Sequence, residues 1–454
     1  MFAVGLLGWL ALAPALAAAE PPNILLITID TLRADHLSCY GYPLRTTPNI
    51  DRLAGQGVRF ERAYTPIPLT GPAHISLFTG RYPQEHGARI NGLAHDDKAR
   101  LLFWPQILRR YGYRNAAFVS AWPLAGRLSR LDELFDHYDE ELNRSYQWLN
   151  SSRWAEDVTP KAIAWLRTAA HRPFLLWVHY FDPHSPYRYR REFGRLARIG
   201  RAKRAAMSEE MRERVARYDS EIAYTDHHVG KLLEALEALD LARSTLVVLL
   251  SDHGESLGEH GYVGHGRHLY ENIVRIPLIL RWPGIIAAGK VVEGAVSLVD
   301  VAPTIIELAI ERFHGPLNIH ALFSGRSFAK ALEPGGMPPQ ERLIRHITFG
   351  GKKGFWPRWL SFLWTDLDDR PLRIGLLAGS RKLIYSPQSG SLEIYDLGRD
   401  PQELLPTRPA RKSPLYQTET ARLEQWLEST AGAAGENRMT ERDLRVLRSL
   451  GYVR

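Results

Sequence analysis

Short apolar runs alternate with amphipathic segments along roughly the first 320 residues of the chain. An unbroken apolar run is typical of a strand buried on both faces, whereas apolar residues spaced three or four apart predict a helix. The predicted strands are residues 23–29, 115–119, 174–179, 244–250 and 278–282. The predicted helices are residues 47–57, 100–111, 207–239 and 300–309. This alternation predicts an α/β fold with a doubly wound, mostly parallel sheet.

The pattern changes after about residue 333. Pro and Gly are frequent in residues 334–339, which predicts a linker. Three short apolar runs follow, separated by Gly-Ser and Ser-Gly pairs that are typical of turns in an antiparallel sheet. These runs are residues 372–377, 382–385 and 392–397, and helical spacing follows in residues 417–431 and 440–450. We therefore predict a main domain over residues 20–333 and a small C-terminal antiparallel α+β subdomain over residues 340–454.

The first 19 residues carry no charged side chain and are mostly apolar. They end in small residues, as signal peptides do at their cleavage site, although the basic start of such peptides is missing. A run of about 18 apolar residues is also just long enough to span a bilayer. We predict a signal peptide over residues 1–19 and a periplasmic or secreted protein, with an N-terminal membrane anchor as the alternative. The rest of the sequence predicts no further membrane domain.

Composition narrows the classes of partner. Of 454 residues, 45% are apolar and 24% are charged, which is enough apolar material for a large globular core. The 58 basic and 50 acidic residues give a net charge of +8, which favours anionic partners. Much of the basic excess lies in residues 187–204, which we interpret as a solvated helical surface because no aromatic-interleaved nucleic-acid module accompanies it. Cys39 is the single cysteine, so an intramolecular disulfide is excluded.

Two predicted strands are followed directly by metal-ligating residue types. Asp30 follows the first strand, and Asp252 with His253 follows the fourth. Ligands of open α/β sheets bind at the carboxyl edge of the strands, where these side chains are expected. A lone Asp at a strand end is more often a cap or turn residue, but capping does not explain an adjacent Asp and His. The set of two carboxylates and one imidazole predicts a divalent-metal site.

A series of motifs surrounds these residues. Pro-Asn-Ile-Leu-Leu-Ile stands before Asp30, and Thr-Pro-Asn-Ile-Asp-Arg-Leu occupies residues 47–53. The series continues with Thr-Gly-Pro-Ala-His at residues 70–74, with residues 179–187, 251–258 and 300–304, and with the pattern Ile-Tyr-Asp-Leu at residues 394–397. Together they resemble the sulfatase family of the alkaline phosphatase superfamily. These segments stand in the family's order and cover nearly the whole chain after residue 20. The resemblance implies an alkaline phosphatase-like fold, a catalytic domain over residues 20–333 and hydrolysis of a sulfuric ester.

One departure from the family pattern concerns the nucleophile. Thr70 stands where the formylglycine-forming sulfatases have Cys or Ser. A formylglycine hydrate expels sulfate by collapsing to an aldehyde, and a threonine ester has no such route. The phosphatase, nucleotide pyrophosphatase and phosphoethanolamine transferase branches use Ser or Thr at this position, and a metal ionises the hydroxyl. The resemblance thus implies a Thr-nucleophile variant in which Asp30, Thr70, Asp252 and His253 hold one divalent ion, with zinc or manganese favoured and calcium as the alternative.

Further residues receive roles from the same resemblance. His184 and His265 are similar to the histidines that contact the phosphoryl group in phosphoethanolamine transferases, so both are predicted to be catalytic. His74 replaces the family's Arg four residues after the nucleophile. Together with Arg81 and His268, it is predicted to bind substrate.

Other histidines and the lysine element of the family give weaker signals. His179 is interpreted as structural, because it ends an apolar strand. The second metal cluster of the two-zinc relatives is reduced to Asp182-Pro183-His184, which disfavours a second ion. Residues 119–122 replace the Gly-Lys-Trp-His element that supplies a sulfate-binding lysine, which argues against an arylsulfatase.

We therefore expect a metal-dependent hydrolase that cleaves a sulfate or phosphate ester of an anionic small molecule or glycan. A phosphodiesterase or a phosphoethanolamine-type transferase is the first alternative, and the transferase is disfavoured because such enzymes carry a multi-helix membrane domain. A non-catalytic glycan-binding protein is the second alternative, and the retention of all four predicted metal ligands argues against it. No nucleic-acid partner is expected.

Overall fold

The computed structural model describes residues 20–92, 101–146, 149–169, 173–194, 207–317, 321, 323–351 and 367–431. The predicted signal peptide, residues 195–204 of the basic segment and the predicted helix at residues 440–450 lie outside the described residues.

An eight-stranded sheet forms the centre of the fold. Its strands are β1 (Asn23–Ile29), β2 (Val58–Phe60), β3 (Arg114–Phe118), β4 (His137–Asp139), β5 (Phe174–Tyr180), β6 (Thr245–Ser251), β7 (Leu278–Arg281) and β8 (Lys290–Val292). Their order across the sheet is β8-β2-β7-β6-β1-β5-β3-β4. All neighbours pair in parallel except β7, which runs antiparallel to both β6 and β2. The mostly parallel sheet predicted from the apolar runs is confirmed.

Helices cover both faces of this sheet. The longer helices are α1 (Pro48–Gly55), α2 (Thr70–Thr79), α3 (Trp104–Arg110), α4 (Ala155–Ala169), α5 (Glu209–Ala238), α6 (Val301–Ile306) and α7 (Pro414–Ala431), and single turns occur at Pro83–His86, Gly126–Ser129, Glu271–Val274 and Ala329–Leu332. Apolar side chains of α1, α4 and α5 form one core with one face of the sheet, and those of α2, α3 and α6 form another core with the opposite face. Two covered faces explain why β1, β5 and β6 are unbroken apolar runs that are wholly buried.

A second, antiparallel sheet follows in the C-terminal part of the chain. Its strands, in order, are β9 (Ile344–Gly351), β10 (Leu367–Ala378), β11 (Arg381–Ser386) and β12 (Ser391–Asp396). The sequence predicted the last three, and the prediction missed β9. The reason is that His346 and Thr348 are fully buried in β9, so that polar residues interrupt its apolar pattern.

Several very short strands form small sheets outside the two main sheets. Ala63–Tyr64, Arg275–Ile276 and Val296–Ser297 form a small three-stranded sheet. Ser256–Leu257 pairs with Val263–Gly264, and Arg144–Tyr146 pairs with Leu149–Ser152. Among the helices of the described ranges, not one has the length and apolar character needed to cross a membrane.

The strand register brings three chain segments to one edge of the central sheet. Ile29 of β1 lies opposite Ser251 of β6, so both strands end at the same level. On its other side β1 pairs with β5, and Thr28 lies opposite His179. The residues that follow β1 and β6, together with the end of β5, therefore meet at the carboxyl edge.

Candidate metal centre and active site

A strained turn at the end of β1 presents Asp30. The Asp30 side chain is fully buried, and its N–H donates to Tyr180 O at 2.8 Å. Thr31 then adopts a left-handed backbone with φ 56°, a conformation that a β-branched residue rarely adopts. This turn directs the Thr31 N–H to Asp252 Oδ1 at 3.4 Å, and it thereby joins the ends of β1 and β6.

Asp252 and His253 complete the carboxyl edge. Asp252 Oδ1 accepts a hydrogen bond from the His253 N–H at 2.9 Å. The Nδ1–H of His253 donates to Gly254 O at 3.0 Å, which leaves a lone pair on Nε2. His253 Nε2 lies 3.4 Å from Asp252 Oδ2 and 3.8 Å from Asp30 Oδ1. In the part of the chain that the structure describes, neither of these two carboxylate oxygens has a hydrogen-bond partner.

Thr70 is the first residue of α2, and its hydroxyl faces this centre. Thr70 Oγ1 lies 3.4 Å from Asp30 Oδ2 and 3.5 Å from His253 Nε2. The positive end of a helix dipole stabilises negative charge that develops on an oxygen at this place. The structure thus brings together Asp30, Thr70, Asp252 and His253, the four residues that the sequence predicted as one site.

The acidic groups of the centre have no lysine or arginine partner among the described residues. Burial and then the charges of Asp252 and Glu255 raise the pKa of Asp30 well above its ordinary value, and burial raises the pKa of Asp252 to about 7. Burial also places the pKa of His253 well below its ordinary range. Within the described residues, no Lys or Arg side chain pairs with either Asp30 or Asp252. Ligand atoms of Asp30, Asp252 and His253 all lie within 4.8 Å of one another, so the orphaned oxygens and the free imidazole lone pair fit a divalent cation.

Both predicted catalytic histidines lie beside this centre. The His265 ring packs 4.4 Å from that of His253, and His265 Nδ1 lies 3.2 Å from Glu255 Oε1. Burial alone would lower the pKa of His265, but the charge of Glu255 and their hydrogen bond raise it above its ordinary value. His184 packs 5.1 Å from His265, and its Nδ1–H donates to Ser185 O at 2.6 Å. Burial and the neighbouring His265 lower the pKa of His184 to about 4, so the pKa values of the two imidazoles are displaced in opposite directions.

His74, one of the predicted substrate-binding residues, lies in the interior between α2 and β1. It is fully buried, and its Nδ1–H donates to Thr70 O at 2.7 Å. Its Nε2 accepts from the hydroxyl of Thr28 at 3.2 Å, and this hydroxyl accepts from Trp177 Nε1 at 2.9 Å. Because both ring nitrogens bind the protein, this placement offers no support for a role of His74 in substrate binding. Its hydrogen bonds instead hold the first turn of α2 against β1.

Two further predicted substrate-binding residues lie outside the centre. Arg81 follows the C-terminal end of α2, about 15 Å along the helix from Thr70, and it pairs with Glu85 at 3.8 Å. The ring of His268 lies between those of Tyr262 and Tyr270, at 4.5 Å and 5.4 Å. These placements offer no support for a role of Arg81 or His268 in substrate binding.

The structure adds one residue that sequence reasoning assigned to the core. His179 Nε2 lies 3.8 Å from Asp30 Oδ2, and His179 forms a second potential ligand group with His74 and Asp252. A histidine at the end of an apolar run has the sequence signature of a buried structural residue. Asp182 remains outside the centre, because it accepts from the Ala155 N–H at 2.9 Å and pairs with Arg190 at 3.2 Å.

Comparison with known proteins identifies the family. The family model described as Sulfatase matches residues 22–311, which is more than half of the chain. The chain is 26% identical to an uncharacterized sulfatase, YidJ, of Escherichia coli K12, over 84% of this chain and 82% of that protein. It is 24% identical to the N-acetylglucosamine-6-O-sulfatase of Bacteroides thetaiotaomicron, over 70% of this chain and 72% of that enzyme.

The fold is also similar to solved structures. The crystal structure of the phosphonate monoester hydrolase of Agrobacterium radiobacter superposes with a TM-score of 0.69 at 22% sequence identity, and the match covers 93% of this chain and 98% of that one. The chain belongs to the sulfatase family, and it is a sulfatase-like ester hydrolase.

Proposed function

We propose that this protein is a metal-dependent hydrolase that cleaves a phosphate ester or diester through unmodified Thr70. The observation that carries the proposal is the position of the Thr70 hydroxyl, 3.4 Å from Asp30 Oδ2 and 3.5 Å from His253 Nε2. This hydroxyl lies at the N-terminus of α2 beside Asp30 and Asp252, which have no lysine or arginine partner among the described residues. A threonine cannot become formylglycine, so its covalent intermediate must be broken by attack at the central atom.

The cation would be held by Asp30, Thr70, Asp252 and His253. A bound divalent ion supplies positive charge that lowers the pKa of a ligating hydroxyl and offsets the negative charge of substrate oxygens. Carboxylate and imidazole ligands together favour zinc or manganese. Thr70 contributes the attacking oxygen, and Asp30 and His253 fix the direction of that oxygen.

His265 and His184 are proposed to handle protons at this centre. Thr70 would attack in its ionised form, its proton having been released to solvent when the cation binds. In the first step, the ionised Thr70 Oγ bonds to phosphorus, the ester bond to the leaving group breaks, and His265 gives its proton to the departing oxygen. In the second step, water attacks the phosphothreonine, His265 takes a proton from that water, and the bond from phosphorus to Thr70 Oγ breaks to leave Thr70 ionised as before. Glu255 holds the His265 ring in place for both transfers. His184 Nε2 keeps a lone pair, because its Nδ1 is bound to a backbone carbonyl, and it orients the water or a substrate hydroxyl.

Cleavage of a sugar sulfate is the second candidate function. It is favoured by the relatives, because one of them is named as an N-acetylglucosamine-6-O-sulfatase. A phosphate monoester carries about one more negative charge than a sulfate ester at neutral pH, and protonated His265 would be a further cationic donor for it. This charge argument supports a phosphate monoester over a sugar sulfate. A phosphodiester carries the same single charge as a sulfate ester, so only the unmodified Thr70 nucleophile supports it.

The test measures p-nitrophenyl phosphate, bis(p-nitrophenyl) phosphate and p-nitrophenyl sulfate side by side, with zinc, manganese or calcium. Thr70→Ala is expected to lose turnover by about 10³-fold or more, as loss of a nucleophile does in other covalent hydrolases, whereas Thr70→Ser retains part of it. Thr79→Ala is the matched control, because Thr79 is a buried threonine at the other end of α2 that donates to Ile75 O at 2.6 Å. Intact-mass analysis of substrate-quenched wild type should show a phospho-adduct that Thr70→Ala lacks.

Two outcomes contradict the proposal. Full phosphoryl turnover by Thr70→Ala would transfer the nucleophile role to water. Sulfate turnover equal to or above every phosphoryl substrate, with Thr70 unmodified by mass, would support the second candidate instead.

A further inference from the structure

The loop of residues 265–267 carries His265, the proton donor of the proposed function. A Cβ atom on Gly266, whose backbone φ is 86°, would lie 2.9 Å from Leu69 Cδ2. Leu69 immediately precedes Thr70 at the start of α2. The backbone of this loop therefore packs against the N-terminus of α2, beside the proposed nucleophile.

Side chains hold the backbone of the loop at every residue. Each of its three carbonyl oxygens accepts a hydrogen bond from a side chain. The donors to residues 265, 266 and 267 are, in that order, the Tyr262 hydroxyl at 2.6 Å, the Thr348 hydroxyl and the Arg373 guanidinium. Thr348 and Arg373 lie opposite each other in β9 and β10 of the C-terminal sheet. A loop fixed in this way presents its side chains in one arrangement, as a binding site requires.

Two guanidinium groups of this region lack a carboxylate partner. Arg267 is exposed, Arg373 is partly buried, and neither pairs with a carboxylate among the described residues. The nearby carboxylate of Glu393 is bound instead by Arg408 at 2.5 Å and by the Tyr395 hydroxyl at 3.1 Å. Burial lowers the pKa of Arg373 more than Glu393 and the neighbouring tyrosines raise it. The region therefore holds positive charge that the chain does not neutralise.

A second group of arginines, after His184, does not share this property. Three guanidinium groups stack on the ring of Trp154 at 4.0 to 4.6 Å, those of Arg144, Arg188 and Arg190. Four carboxylates pair with this group, those of Glu156, Asp157, Asp182 and Glu221. Its positive charge is thus neutralised within the chain, and it offers no anion site.

We propose that Arg267 and Arg373, called the arginine subsite below, bind a second anionic group on the organic part of the ester substrate. His265 and Arg267 are two residues apart, so their Cα atoms lie within about 7 Å of each other. A guanidinium at this distance can contact a group attached to the oxygen that His265 protonates. Guanidinium groups bind carboxylate, sulfate and phosphate groups through paired N–H donors. The inference rests on the proposed function and adds the substrate class, an ester that carries at least two anionic groups.

The two arginines differ in what their replacement removes. Arg373 Nη1 supports the carbonyl of Arg267, so Arg373→Gln changes both the charge of the subsite and the support of the loop. The side chain of Arg267 donates no hydrogen bond to the described residues, so Arg267→Gln removes charge alone. Arg267→Gln is therefore the main variant, and Arg373→Gln is the second.

The first test titrates metal-stripped protein with sodium sulfate by calorimetry. Removal of the metal ion removes the strongest competing cation of the site. Wild type should bind sulfate, and Arg267→Gln should weaken this binding by about 10- to 100-fold, the effect of losing one charged hydrogen-bonding group. Arg422→Gln is the matched control, because it removes the same charge from α7, where Arg422 pairs with Glu419 at 3.9 Å. It should bind sulfate as wild type does.

The second test measures kcat/KM of metal-loaded protein for meta- and para-carboxyphenyl phosphate, each against its neutral carbamoyl counterpart. The ratio of the carboxyl to the carbamoyl ester reports recognition of the second charge, because the amide has the same shape and no charge. Arg267→Gln and Arg373→Gln should each lower this ratio by about 10-fold or more, and Arg422→Gln should keep it. Thermal unfolding of all variants reports whether each is folded.

The outcomes separate this inference from the proposed function. Sulfate binding by folded Arg267→Gln with wild-type affinity, or no sulfate binding by wild type, overturns the inference. An equal change in kcat/KM for the carboxyl and carbamoyl esters also overturns it, because the arginines would then only support the loop of His265. Failure of metal-loaded wild type to cleave any of these esters contradicts the proposed function, and the sulfate titration still decides whether the arginine subsite exists.

Discussion

The candidate metal centre and a second buried ionisable cluster differ in how their charge is balanced. At the candidate metal centre, Asp30 and Asp252 each have an orphaned oxygen, and their ion-pair partners among the described residues are histidines. The second cluster, called the lysine cluster below, consists of Lys382, Glu271 and Glu403. The fully buried Lys382 of β11 places Nζ 2.8 Å from Glu271 Oε1 and 2.9 Å from Glu403 Oε1.

The electrostatics of the two clusters follow from this difference. In the lysine cluster, burial would raise the pKa of Glu271, but Lys382 lowers it below its ordinary value. Burial raises the pKa of Glu403 to about 7, so the cluster approaches neutrality with one lysine, one carboxylate and one partly protonated acid. The lysine cluster thus contains its own cation, whereas Asp30 and Asp252 of the candidate metal centre pair with no lysine or arginine among the described residues.

Removal of the cation of the lysine cluster is expected to change the free energy of unfolding most. Lys382→Met should lower the free energy of unfolding by about 3 to 5 kcal/mol, because it leaves Glu271 and Glu403 buried without a cation. Urea unfolding at neutral pH measures this change. Arg381→Ala is the control, since the neighbouring Arg381 is half exposed and its pair with Glu419 should contribute at most about 1 kcal/mol. A similar loss in both variants would show that the buried lysine has no special role.

Removal of a carboxylate from the candidate metal centre is expected to raise the free energy of unfolding. Asp30→Asn should raise the free energy of unfolding of the metal-free protein by about 1 to 3 kcal/mol, because a neutral amide replaces a buried carboxylate with an orphaned oxygen. Urea unfolding with a chelator at pH 8 measures it. Glu271→Gln is the matched change in the lysine cluster, and it should destabilise. If Asp30→Asn and Glu271→Gln both destabilise, the two clusters do not differ in charge balance.

A smaller effect is expected in the pH dependence of the free energy of unfolding, through Glu403 of the lysine cluster. The folded pKa of Glu403, about 7, lies above its ordinary value of 4.5, so its contribution to stability is complete below about pH 4.5 and is lost as pH rises through 7. Between pH 5 and 8, wild type should lose about 1 to 3 kcal/mol more of its free energy of unfolding than Glu403→Gln does. Chemical unfolding across this range, with chelator in both samples, measures the difference. Parallel pH profiles for the two proteins would contradict it.

The sequence predicted five of the eight strands of the central sheet because their signals are local, and it missed the three-residue strands β2, β4 and β8. β1, β5 and β6 are buried on both faces, so their apolar runs mark them within a residue or two. β9 escaped prediction because the burial of His346 depends on partners elsewhere in the chain, such as the carbonyl of Thr65. A buried polar residue carries no local sign of the group that satisfies it.

The site residues also divide into those with a local sequence signal and those whose role depends on other parts of the chain. Asp30, Asp252 and His253 follow strands, and an open α/β sheet places such residues at one edge, so their meeting was predictable. The role of Thr70 could be predicted only from its position within the family motif. His179 was not predicted as a site residue, because its approach to Asp30 depends on the folded sheet.

The central claim is that the orphaned carboxylates of the metal centre bind an external cation. The most direct test is the unfolding free energy of stripped protein with and without zinc, for wild type and for Asp252→Asn. A ligand that binds only the folded state adds about 2.7 kcal/mol at 100 times its dissociation constant, so zinc should stabilise wild type by that amount and leave Asp252→Asn unchanged. If zinc, manganese and calcium all fail to stabilise wild type, or if Asp252→Asn gains as much as wild type does, the account is contradicted.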